Sequence, residues 1–211
     1  MSTSPFRETV RTMLRDRLLD AAAAAFREQG WRRLTMAKIA DRAGVSRQTV
    51  YNEFGTKQQL AEQLIMRELD TFLAIVRERF EGESEFVPAV RAAVEGALVT
   101  AERNALLRSV LESDQNGDAE LLPFIVQSQW LVDRATAFLV DLVASRFSDL
   151  PMPVDRLEVA LESVVRLVLS HVTRPSRSPQ ETADDLAFIV AAVLAGAAQV
   201  IPADRADGVR V

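Results

Sequence analysis

Apolar residues recur every three to four positions along almost the whole chain, and no stretch keeps the two-residue alternation of a half-buried strand. The pattern predicts an all-α protein of about nine helices. The first spans residues 10–29, with Leu14, Leu18, Ala21, Ala22, Ala25 and Phe26 on one stripe and Gly30 as its stop. Thr35 caps a second helix that turns Met36, Ile39 and Ala40 inward and ends at Gly44. Ser46 caps a third, which ends near Phe54 and Gly55. Thr56, with Gln59 three residues on, makes a capping box for a long fourth helix that fades over residues 81–85. A fifth helix opens at Pro88 and runs to Arg103, and a sixth covers 104–112. Residues 113–118 read as a loop, and the seventh helix covers 120–147. The eighth spans 155–172. The ninth starts on Ser178, Pro179 and Glu181, which fit N-cap, N1 and N3, and runs to about residue 201.

The third helix departs from this economy. In GVSRQTVYNEFGT, residues 44–56, Val50 and Phe54 suffice to seat it, yet Ser46, Arg47, Gln48, Thr49 and Asn52 face outward. Two short helices joined by a turn at Gly44, after a longer helix, form the pattern of a helix-turn-helix. Gly44 suits a left-handed backbone position. Val45 and Val50 pack the third helix on Ile39, Ala40 and Ala43 of the second. A helix so short depends on packing for its geometry. Placed in a major groove, its first residues reach base edges: Arg47 matches guanine O6 and N7, and Gln48 matches adenine N6 and N7. Thr35 and Lys57 lie at helix N-termini and Tyr51 lies nearby, all placed for phosphates. Tyr51 can equally pin the helix, and Phe54 reads as core. Trp31 reads as a core lid, and Arg32 and Arg33 as solvated or phosphate-facing.

Charge sharpens this picture. The first 60 residues carry eleven Lys and Arg against six Asp and Glu, a net +5; the rest carries fourteen against twenty-four, a net −10. A basic head suits a polyanion, and an acidic body does not. With 211 residues, nearly half of them hydrophobic, the chain can bury a sizeable core. No cysteine excludes disulfides and thiolate chemistry and fits a cytoplasmic setting. The first twenty residues hold no apolar run of a secretory signal. No stretch has the roughly 18 uninterrupted apolar residues of a membrane span, so no membrane role is expected. His171 is the only histidine and falls at a helix end, no glycine-rich phosphate loop occurs, and the acidic runs read as solvated. The expectation is therefore not an enzyme, with no cofactor and no metal.

The stretch GWRRLTMAKIADRAGVSRQTVYNEFGTKQQL resembles the N-terminal DNA-binding domain of the TetR family of bacterial transcriptional regulators. The likeness covers about residues 11–65. It lies in the Gly-aromatic after the first helix, the Leu-Thr start, the Ile-Ala and Ala-Gly-Val-Ser of the second helix and turn, Tyr-x-x-Phe, and the following Lys. One departure is Glu53, where many members carry His or Tyr: an acid is unfavourable near phosphate. The resemblance implies a body that dimerises and often holds an inducer, with repression the commoner outcome. The DNA-binding unit is placed at residues 1–56 and the ligand-binding and dimerisation unit at 57–211, joined through the fourth helix.

The body offers matching surfaces. Leu161, Val164, Val165 and Val168 on the eighth helix, and Ile189, Val190, Val193, Leu194 and Ala197 on the ninth, suit a four-helix homodimer interface. Ala191, Ala195 and Gly196 permit close approach. Two recognition helices related by a two-fold axis would then meet half-sites about 34 Å apart in a palindromic operator on double-stranded DNA. The seventh helix is apolar over more than one face. Phe124, Trp130, Leu131 and Phe138, with Phe72 and Val76 of the fourth helix and Leu98, Leu107, Val110 and Leu111 of the fifth and sixth, can line a site for a small hydrophobic, elongated ligand such as an acyl chain or lipophilic drug. Gln127 and Arg134, with Asn104 and Gln129, are its polar interruptions. The competing reading is a helical protein–protein interaction module without sequence-specific DNA binding, which a salt-dependent DNA affinity excludes.

Overall fold

The short-range signals for helix ends translate directly into backbone geometry. A computed structural model describes residues 5–115 and 129–200, and all regular structure among them is helical. The elements are α1 (Pro5–Arg33), α2 (Met36–Ala43), α3 (Arg47–Phe54), α4 (Lys57–Glu81), α5 (Phe86–Arg103), α6 (Ala105–Gln115), α7 (Gln129–Arg146), α8 (Val154–Thr173) and α9 (Pro179–Val200). Thr35 accepts a hydrogen bond from the Lys38 N–H, and Ser46 one from the Thr49 N–H. Thr56 and Gln59 cap each other reciprocally at 3.0 and 3.1 Å. Gly44 stands in the left-handed region at φ 66° and ψ 38°, as a residue leaving a helix there must.

Several boundaries differ from the expected ones. α1 starts at Pro5 rather than near residue 10, and it continues one turn past Gly30, whose φ of 76° interrupts its helical geometry. Residues 113–115, expected in a loop, belong to α6. The expected first part of the seventh helix, with Phe124 and Gln127, lies outside the described residues. Asn104 does not interrupt an apolar lining: its Oδ1 accepts from the Leu107 N–H at 2.8 Å and caps α6, while its amide donates to Glu68 Oε2.

The chain packs as two units. Among the described residues, one comprises 5–70 and 103–115, the other 71–102 and 129–200. The division by packing falls inside α4, at Asp70 and Thr71, and α6 packs with α1 in the first unit. That unit is built on Leu18, Phe26, Leu34, Ile39, Val50 and Leu60, all almost fully buried. The Phe26 and Trp31 rings meet edge to face at 6.2 Å. Glu28 of α1 grips Arg42 of α2 through two hydrogen bonds of 2.7 Å, which hold its carboxyl below the usual range. The second unit is centred on Phe80, Val94, Leu98, Val143, Leu161 and Leu186. Phe80, Phe86 and Phe147 form a mutual edge-to-face trio. Gly96 lets α5 approach α4, since a Cβ there would meet Arg79 Cγ at 2.7 Å.

Candidate nucleic-acid interface

Eight residues of α3 can show only part of their circumference to the core, and Val50 and Phe54 fill that part. Arg47, Gln48, Tyr51 and Asn52 are exposed on the remainder, with Thr49 half-buried at its edge. α2 carries a steep apolar face of Met36, Ile39, Ala40 and Ala43, against which α3 is set.

The outward side chains are held in pairs one helical turn apart. Arg47 donates to the Tyr51 hydroxyl at 3.2 Å and its guanidinium lies 5.4 Å from the Tyr51 ring centroid. Gln48 Nε2 donates to Asn52 Oδ1 at 2.8 Å. These contacts limit the rotamers that must be frozen when a partner binds, while guanidinium and amide keep further donors to offer. Ser46 and Thr49 hydroxyls lie 2.8 Å apart beside the first turn, which also presents free-end backbone N–H groups.

The phosphate-facing candidates divide. Thr35 is exposed at the α2 N-cap and Tyr51 is 37% exposed, both accessible to a backbone. Lys57 is half-buried: its ammonium donates to the Trp31 carbonyl at 2.7 Å and sits 4.6 Å over the Trp31 ring. It fixes the start of α4 against the end of α1, a structural task that its position at a helix N-terminus did not reveal. Glu53 was the acid set against phosphate. The carboxylate is turned back instead, 11% exposed, with Oε1 at 3.0 Å from Arg11 Nε and Oε2 at 3.5 Å from Arg15 Nη1. Arg11 and Arg15 were outside the sequence-based site. Their spacing of four on one helix is a signal for a shared line, but not for its target.

In the second unit, the expected ligand-lining residues fall into distinct settings. Leu98 is in the core, with Val76 and Phe138 packed against it, and the Arg77 guanidinium covers the Phe138 ring at 4.8 Å. Phe72 and Trp130 are half-buried, Leu131 is buried and Arg134 is exposed. Leu107 and Val110 are buried on α6 and Leu111 is half-buried there, in the first unit. Gln129 is exposed and bonded to Asp133 and Arg166. Sequence reasoning missed Thr136 of α7: it is buried, and its hydroxyl has no hydrogen-bond partner among the described residues.

The expected dimer-interface residues also divide. Leu161 is buried within the unit's core, and Val164, Val168 and Val190 pack against it; Val165 is buried too. Leu194 and Ala197 are half-buried, while Ile189 and Val193 face outward. They share that outward side of α9 with Phe188, which is 75% exposed, and α8 exposes Val159 and Leu167. A Cβ placed on Gly196 would meet no described side chain or neighbouring element within 4 Å.

Comparison with known proteins agrees with this anatomy. Residues 18–64 match the family model described as bacterial regulatory proteins, tetR family. Residues 85–192 match the one described as the C-terminal domain of the bacterial tetracyclin repressor. The HTH-type transcriptional regulator AlkX of Mycobacterium tuberculosis is 30% identical over 190 residues, covering 88% of this chain and 87% of that protein. The HTH-type transcriptional activator FasR of Mycolicibacterium smegmatis is 33% identical over 101 residues, 47% of this chain and 46% of its own. Among solved structures, the TetR family repressor AlkX from Dietzia sp. strain DQ12-45-1b, implicated in biodegradation of n-alkanes, superposes with a TM-score of 0.70 at 24% identity, covering 85% of this chain and 94% of that one. The chain belongs to the TetR family of bacterial regulatory proteins and is a helix-turn-helix, DNA-binding transcriptional regulator.

Proposed function

We propose that this regulator is a homodimeric repressor that reads a palindromic operator with α3 and is released by an apolar, elongated ligand held in its body. The observation that carries the reading is the outward face of α3: four exposed polar side chains, two of them the base-matching Arg47 and Gln48, on a helix seated by Val50 and Phe54. Residues 1–56 supply the base contacts in this reading, and 57–211 the ligand and dimer contacts. The outward apolar residues of α8 and α9 supply the two-fold interface: Val159, Leu167, Phe188, Ile189 and Val193.

The ligand class rests on three supports. The described part of α7 is apolar on more than one side, with Trp130 and Phe138 half-buried. A related repressor is implicated in n-alkane biodegradation. The unpartnered Thr136 hydroxyl offers one polar contact, which favours an alkyl chain bearing an oxygen over a bare hydrocarbon. Release requires the ligand to bind the non-reading arrangement more tightly than the reading one. α4 is continuous from the first unit into the second and so ties the two events mechanically.

The test is selection of duplexes from a random DNA pool, followed by titration of alkanes, alkanols and fatty acids into the recovered complex. A palindrome released by a chain-length-dependent alkyl ligand is the expected result. Binding to all duplexes alike would remove the operator reading, and indifference to every alkyl compound would remove the ligand reading.

A further inference from the structure

We propose that the first turns of α1 form a second DNA contact, a basic arm lying along the recognition helix and binding the phosphate backbone beside the bases that α3 reads. The proposal rests on α3 being the DNA-reading helix. α1 begins at Pro5, whereas its buried face begins at Leu18. The match to the DNA-binding family model also begins at residue 18. Residues 6–17 are thus helical yet contribute no fully buried side chain to the unit. A segment with this little packing needs another reason to be shaped.

Its charge supplies one. Residues 5–17 carry four arginines against Glu8 and Asp16. Arg7, Arg11 and Arg15 are spaced by four, so they fall along one line of the helix. Three contacts lay that segment beside the reading helix. Arg11 and Arg15 share the Glu53 carboxylate of α3, at 3.0 and 3.5 Å. The Arg15 guanidinium lies 5.3 Å from the Phe54 ring centroid. Arg17 Nη2 lies 3.4 Å from where a Cβ on Gly44 would be, over the turn between α2 and α3. Glu53 follows Asn52 by one residue, about 100° round the helix. The arm therefore flanks the Asn52 side of the reading face.

With Glu8 and Asp16 of the segment and Glu53 of α3 set against its four arginines, one positive charge remains in excess. Glu53 anchors the arm through Arg15 and the near side of Arg11, leaving Arg11 69% exposed and Arg7 exposed beyond it. Excess positive charge beside a DNA-reading helix finds its complement in phosphate. Phe6, Val10 and Met13 form an exposed apolar stripe next to the arginines. A basic amphipathic helix of this kind can also lie on an anionic membrane, but its anchorage to α3 favours DNA.

The experiment uses the full chain and measures affinity for the selected operator and for an unrelated duplex across a range of salt. Wild type, Arg7→Ala, Arg7→Ala/Arg11→Ala and Arg47→Ala are compared. Each lost phosphate contact lowers the slope of log K against log salt by about one. The slope should fall by about one in Arg7→Ala, which leaves the Glu53 pairs intact, and by about two in the double variant. Both duplexes should be affected alike, and base preference should be kept. Slopes equal to wild type in correctly folded variants would overturn the arm. So would a wild-type DNA slope together with loss of binding to phosphatidylglycerol vesicles. Arg47→Ala reports separately on α3: if it keeps full base preference, the reading helix is misassigned, whatever the arm does.

Discussion

On the outward face of α3, Arg47 and Gln48 are held in prearranged positions. Arg47 is tied to Tyr51, and Gln48 to Asn52, by bonds within one helix that a base edge can replace. In the proposed reading Arg47 makes a bidentate contact to a guanine edge, so Arg47→Ala should cost about 1–3 kcal/mol on the operator and relax preference at one position. A competition titration against single-base variants of the operator measures it, and an unchanged preference at every position would contradict the assignment. Thr136 poses the opposite situation, a buried hydroxyl with no hydrogen-bond partner among the described residues. Such a group costs about 1–3 kcal/mol, so the near-isosteric Thr136→Val should leave the unliganded protein as stable or more stable. It should also weaken release by oxygen-bearing alkyl ligands while sparing DNA affinity. Thermal melts with and without ligand, alongside operator release curves, test both halves.

Helices are held at their ends by local chemistry and along their lengths by distant neighbours. α9 shows the first. Ser178 Oγ accepts from the Glu181 N–H at 3.3 Å, and Glu181 Oε2 accepts from the Ser178 N–H at 3.0 Å and its hydroxyl at 2.7 Å. These bonds hold the Glu181 carboxyl below its ordinary value of 4.5, so the folded state favours the carboxylate. Its stabilisation is complete above the ordinary value and is lost as pH falls through the lower, folded one. Glu181→Ala should therefore lower Tm near neutral pH, and the gap to wild type should close in acid. A gap independent of pH would mean the carboxylate is not what holds the cap. α6 shows the second kind of control. Asn104 caps it, Glu68 holds Asn104, and the helix lies with α1 rather than with α5 before it. The first unit is thus assembled from two separate stretches of chain.

For the whole molecule, the distribution of charge and of exposed apolar area fits two different partners. The first 60 positions carry a net positive charge, while the body is acidic. Among the described residues of the body, the exposed large apolar ones lie on α8 and α9, with Phe188 the most exposed of them. Phe188→Asp should break a dimer built on that face without disturbing the core, since the ring packs little in the protomer. Light scattering should then report a monomer, and affinity for the palindrome should fall towards that of a half-site. A variant that keeps the dimer mass would move the interface elsewhere.

The sequence by itself determined whatever depends on a few adjacent residues. The caps at Thr35, Ser46, Thr56 and Ser178 and the left-handed turn at Gly44 are closed by hydrogen bonds spanning three or four positions, so local residue identity suffices. The outward positions of Arg47, Gln48 and Asn52 on α3 were legible for the same reason: period 3.6 separates them from Val50 and Phe54, although their pairing with Tyr51 and with each other was not. Only tertiary structure decided where long side chains go and which apolar face meets which. Glu53 turns back because Arg11 and Arg15, some forty residues away, offer a stronger partner than water. Lys57 is held by Trp31 for a similar reason. On α8 and α9, periodicity found apolar positions but could not say that Leu161 and Val190 face the unit's own core while Phe188 and Val193 face outward. A helix that is apolar on two sides carries no local mark of which side its neighbours will cover.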